Sequence, residues 1–127
     1  MNKLLNNLMP LARVLLASLF LVAGLSKISQ YAGTQAYMAS AGLSGALLPL
    51  VILLETGGAL ALIVGFQVRW VALALALFTI VSALLFHFNF ADQIQSLMFL
   101  KNFSIAGGLL ILAAAGAGPW SLDQARG

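Results

Sequence analysis

The chain has no cysteine, three acidic residues and one histidine. Without a thiol it can hold no disulfide, thiolate metal site or cysteine-ligated iron–sulfur cluster, and no lipid can be attached through sulfur. One histidine excludes bis-histidine haem ligation within the chain, and only geometry would favour a His87–Met98 pair. Neither haem nor a metal centre is expected. Strict apolar–polar alternation is also missing, which argues against a membrane β-barrel. The basic residues are scattered, several of them inside apolar runs, so the net charge of +3 gives no reason to expect nucleic acid as a partner.

What remains is apolar. Hydrophobic residues make up 62% of the 127 positions and charged residues 7%, with a mean hydropathy of +1.06, which together indicate an integral membrane protein. Four apolar runs, at 8–28, 47–65, 68–88 and 97–117, each approach the roughly 20 residues that cross a ~30 Å hydrocarbon core at about 1.5 Å per residue. The predicted fold is an all-α membrane protein, a four-transmembrane-helix bundle forming one domain over 1–127. A basic stretch before Val14 and small residues after it could suggest a signal peptide. Leu21-Val22-Ala23-Gly24 even resembles a lipoprotein box, but Leu25 stands where the acylated cysteine would be, and an uncleaved first helix is expected.

An even number of spans puts both termini on one side. Lys3, Arg13, Arg69 and Arg126 fall toward that side and Lys27 and Lys101 toward the other, so the positive-inside rule predicts cytoplasmic termini. Trp70 and Trp120 then stand at the inner interface, with Tyr31 and Tyr37 at the outer one. Helices 2 and 3 are joined only through Phe66-Gln67-Val68, a tight hairpin. The first outer connection is longer: Gly33 and Gly42 bracket Thr34–Ala41, predicted to be a short interfacial helix between helices 1 and 2, over the outer mouth of the bundle. Gly57-Gly58 and Gly107-Gly108 form a faint echo between helices 2 and 4, either a repeat or a shared packing habit.

Five ionisable side chains, Arg13, Lys27, Glu55, His87 and Lys101, lie within or at the ends of the apolar runs. A charge at bilayer depth costs about 2.5–3.5 kcal/mol on insertion scales and needs a partner, a wet cavity or a route to the interface. At helical spacing Lys27 shares its face with Gly24, Ala23 and Phe20, Glu55 with Gly58 and Ala59, His87 with Ala83, and Lys101 with Ser104 and Gly108. Small residues mark close approach of membrane helices, so these groups are expected to converge on the bundle interior. Arg13 is expected to be a snorkelling or topology-setting anchor. Glu55, roughly 12 Å below the outer start of helix 2, would floor an outward-facing pocket. Lys27, Glu55, His87, Lys101 and Asn102 are its candidate ligand-binding residues. A structural ion pair between Glu55 and one lysine is the plainer alternative.

The polar positions carry a resemblance as well. Arg13, Phe20 to Gly24 and Lys27 are followed by Tyr31-Ala32-Gly33-Thr34-Gln35-Ala36-Tyr37-Met38. Next come Leu48 to Glu55 with Gly57-Gly58, then Phe86-His87-Phe88-Asn89-Phe90, and Ser96 to Asn102 with Gly107-Gly108. In these blocks, over about residues 8–116, the chain resembles the DoxX family of small bacterial membrane proteins. The resemblance implies an inner-membrane location and a redox association, because the family is named for similarity to a subunit of a thiosulfate:quinone oxidoreductase. A quinone thus becomes an expected occupant of the pocket, a redox protein an expected partner, and a quinone-linked oxidoreductase subunit the most that is expected of any enzymatic role. Membrane lipids and further copies of the chain are the other expected partners. Two alternatives stand beside this reading: a small transporter or proton relay built on Glu55, and a structural or assembly subunit without ligand chemistry.

Overall fold

The computed structural model describes residues 3–87 and 89–126; Phe88, at the end of the third predicted span, lies outside the described residues, as do the side chains of Lys3, Leu4 and Arg126. Helix α1 (Lys3–Asn6) is a single turn, and α2 (Leu8–Ser29) is the first span. At Gln30 the backbone leaves helical geometry (φ −118°, ψ 43°), and the chain turns into α3, Tyr31–Ser40. This helix starts three residues earlier than the glycine bracket suggested, and Gly33 lies inside it. The second span, α4, covers Gly45–Val64; it opens with a 3₁₀ turn over Gly45–Leu47, and Pro49 stands at the start of the α-helical part that begins at Leu48, where a missing N–H costs little. The remaining spans are α5 (Val68–Phe86) and α6 (Gln93–Ala115), and α7 (Leu122–Arg126) closes the chain.

The four long helices have the length and apolarity to cross a membrane. Val22, Leu53, Leu77 and Ile111 point outward and are exposed, as a lipid-facing surface requires. Inside, alanine dominates: Ala17, Ala59, Ala72, Ala76, Ala106 and Ala113 surround Phe20, Leu62, Leu75 and Leu109. Small side chains let helix backbones approach closely, so dispersion accumulates where no hydrophobic effect operates between helices. The most extensive pairings are α5 with α6 and α2 with α4. Asn102 Nδ2 ties the first pair by donating to the Thr79 carbonyl at 3.3 Å.

The end that carries both termini is sealed by polar contacts. Helix α4 stops at Gly65 in the left-handed region (φ +76°), where an added Cβ would collide with Ser121 and crowd the Arg13 guanidinium. Arg13, expected as a snorkelling anchor, is instead only 1% exposed. Its Nη1 donates to the Leu62 and Ile63 carbonyls at 3.1 and 3.3 Å, and its Nη2 to those of Pro119 and Trp120 at 2.9 and 2.8 Å. The carbonyls at the end of α4 have no helical partner of their own, and the returning C-terminal segment supplies two more acceptors. The Asp123 carboxylate then accepts from the N–H groups of Gln67 and Val68 at 2.7 and 2.8 Å, so α7 caps the start of α5 from outside the helix.

Candidate functional site

A cavity of about 350 Å³ opens in the half of the bundle remote from the termini. Each wall comes from a different element. Lys27 enters from the end of α2, and Thr34, Tyr37 and Met38 from α3, with Leu43 beside them. Val51 and Glu55 come from α4; Phe78, Val81, Ser82 and Leu85 come from α5, which ends at Phe86 and is followed by His87. The α3 residues explain why the first connection is helical. Its inner face buries Met38, 4% exposed, while Tyr37 stacks on Phe86 with ring centroids 4.9 Å apart and planes at 20°.

Lys27 Nζ lies 2.6 Å from Glu55 Oε1, with the Lys27 side chain 26% exposed and that of Glu55 5%. This contact exists because of two local features. Gly24, one turn before Lys27, lets α2 run against Glu55 and Thr56: an added Cβ would collide with Thr56 Oγ1, stand 3.2 Å from Thr56 N and touch Glu55 Cβ at 3.4 Å. In addition, Leu53–Gly57 forms a π-helical turn within α4, with Glu55 at its centre. Such turns insert one residue into the helical register, which re-aims the side chains around them, and they recur at functional sites. The cavity therefore has an ion pair at its base and an aromatic and aliphatic wall above it.

His87 sits at the rim. Its backbone N–H closes α5 on the Ala83 carbonyl at 3.0 Å, and its Nδ1 lies 2.7 Å from Gln95 Oε1. Gln95 occupies the first turn of α6, where Asp92 caps the helix by accepting from the N–H groups of Ile94 and Gln95 at 2.9 and 3.4 Å. Three of the five candidate residues, Lys27, Glu55 and His87, thus line one cavity. The other two are elsewhere. Asn102 faces α5, and Lys101 is exposed, beyond the cavity lining. The buried face of α6 runs through Ala106, Leu109 and Ala113, in line with Asn102. Lys101 is one position, roughly 100° of rotation, away from it. Sequence reasoning did not single out Tyr37, Phe86 or Gln95 as site residues. The signal for Gln95 was the Asp92-Gln93-Ile94-Gln95 spacing of a helix start, which brings it to the level of His87.

Comparison with known proteins agrees with the residue pattern. The DoxX family model matches residues 8–88. The chain is 54% identical over 113 residues to the inner membrane protein YqjF of Escherichia coli (strain K12), covering 89% of this chain and 87% of that protein. It is 33% identical over 124 residues to the inner membrane protein YphA of the same organism, covering 92% and 89%. No solved structure matches the chain.

Proposed function

This chain belongs to the DoxX family of multi-pass bacterial inner-membrane proteins, and from that premise we propose that it is a redox-associated membrane subunit that binds a quinone or a similar lipophilic molecule in the cavity above Glu55. The observation that carries the reading is the composition of the cavity. A mostly apolar wall with the stacked Tyr37–Phe86 rings surrounds a few convergent polar groups, Lys27, Glu55 and His87. Its volume falls within the ~300–1,000 Å³ of small-molecule sites. An aromatic head group suits such walls, while an acyl or prenyl tail is accommodated between helices that already face lipid. Lysine supplies donors, and a carboxylate supplies acceptors, to polar atoms of the head group. With the termini cytoplasmic, as the distribution of Lys and Arg favours, the cavity faces outward.

The test is to purify the protein in mild detergent and examine its organic extract by mass spectrometry. A lipid-soluble aromatic compound should copurify with wild type and be lost from Glu55→Gln and His87→Ala variants that retain their fold. It should be kept by Lys101→Ala, which lies outside the cavity. A clean extract from folded wild-type protein would refute the reading.

A further inference from the structure

We infer that Gln95 holds His87 in its Nδ1–H tautomer, so that Nε2 is a hydrogen-bond acceptor offered to the cavity and selects ligands whose head group carries a hydroxyl or N–H. The selectivity rests on the ligand-binding reading above; the tautomer assignment stands apart from it. His87 Nδ1 lies 2.7 Å from Gln95 Oε1. An amide oxygen can only accept, so the proton between the two atoms belongs to the ring. In a neutral imidazole the other nitrogen is then an acceptor. His87 is part of the cavity lining and Gln95 is not. With Nδ1 turned to α6, Nε2 is the ring atom left for the cavity.

The polar surroundings make this acceptor informative. Lys27 meets Glu55 Oε1 at 2.6 Å and keeps its remaining ammonium donors for a head-group oxygen, and the Thr34 hydroxyl donates to the Gln30 carbonyl at 2.9 Å. A head group that brings its own proton can satisfy Nε2, so of a quinone couple the hydroquinone is the favoured form, whereas the oxidised quinone, with only carbonyl or ether oxygens, leaves Nε2 facing a lone pair. Sites built to pair with a hydroxyl reject analogues that lack it, because the protein group is then left unpaired. Gln95 is thus a positioning residue for specificity, acting through His87 without touching the ligand.

The lone histidine makes the test direct, since histidine labelled with a nitrogen isotope gives one set of ring signals from the full-length protein in detergent. In alkaline buffer without ligand, wild type should show the Nδ1–H pattern. Gln95→Leu should lose it, and Gln95→Glu, whose carboxylate also accepts, should restore it. The helix cap itself comes from Asp92 and is present in all three proteins. An Nε2–H pattern in wild type, or an unchanged pattern in Gln95→Leu, would overturn the assignment. A second measurement compares para-nonylphenol with para-nonylanisole, which differ in replacing the hydroxyl proton by a methyl. Wild type should bind the phenol about tenfold more tightly, and Gln95→Leu should bind the two about equally. Equal binding by wild type overturns the selectivity. Binding of neither, with the ring signals as expected, supports the tautomer and removes the ligand reading.

Discussion

Arg13 shows what one side chain can do at this depth. Its guanidinium gathers four carbonyl oxygens from two segments that are distant in sequence, the end of α4 and the turn at Pro119 and Trp120. Replacing it by methionine strands those acceptors in a buried site, and the expected loss is about 3 kcal/mol or more. Thermal unfolding in detergent measures it. Arg13→Lys should recover only part, because an ammonium on a single stem cannot span both pairs of carbonyls as a planar fork does. A methionine variant that unfolds together with wild type would refute this account. The sequence displays Arg13 as a cation near a helix end, which is also how a snorkelling anchor looks. Only the return of the C-terminal segment over it separates the two. Glu55 is more legible: a carboxylate far from either end of an apolar run needs a partner, and Lys27 on a neighbouring stripe of small residues makes the ion pair one of the expected arrangements, the one the structure forms.

At the scale of elements, the spans were legible because twenty apolar residues in succession have few other uses, but their internal irregularities were not. The π-helical turn at Leu53–Gly57 lies where α4 meets α2 at Gly24 and Thr56, and apolar run length does not mark it. Gly24→Ala is therefore expected to cost about 1–3 kcal/mol by pushing these helices apart. Adding Thr56→Ala should return only part of it, since the Thr56 backbone N remains 3.2 Å from the new methyl. The comparison is again by unfolding in detergent, and full rescue by the second substitution would show that the side chain alone sets the separation. The glycine echo also ends in two different environments. A Cβ on Gly58 would stand 3.2 Å from the Leu75 methyls, and one on the equivalent Gly108 3.6 Å from a Leu16 methyl. In each dipeptide the second glycine faces a leucine of a different neighbouring helix, Leu75 of α5 for Gly58 and Leu16 of α2 for Gly108, with the closer approach at α4.

For the whole molecule, four spans place both ends on one side of the membrane, and the excess of Lys and Arg near that side predicts that it is cytoplasmic. Reporters fused separately to each terminus, one active only in the cytoplasm and one only outside it, should agree on the cytoplasm. Any external activity would invert the cavity's direction. Hydropathy by itself determined that the chain is a four-span helical membrane protein, because a backbone in lipid must satisfy its hydrogen bonds within each segment and apolar length alone reveals that. It also marked Glu55 and Lys27 as costly, since the expense of charge in hydrocarbon depends on position along the chain. Tertiary structure alone decided which polar groups meet. It brought Lys27, Glu55 and His87 to one cavity and left Lys101 outside, turned Gln95 onto His87 and drew the C-terminal segment over Arg13. The reason is rotational: one residue of helix turns a side chain by roughly 100°, so facing depends on helix packing and on a single π-turn that composition does not record.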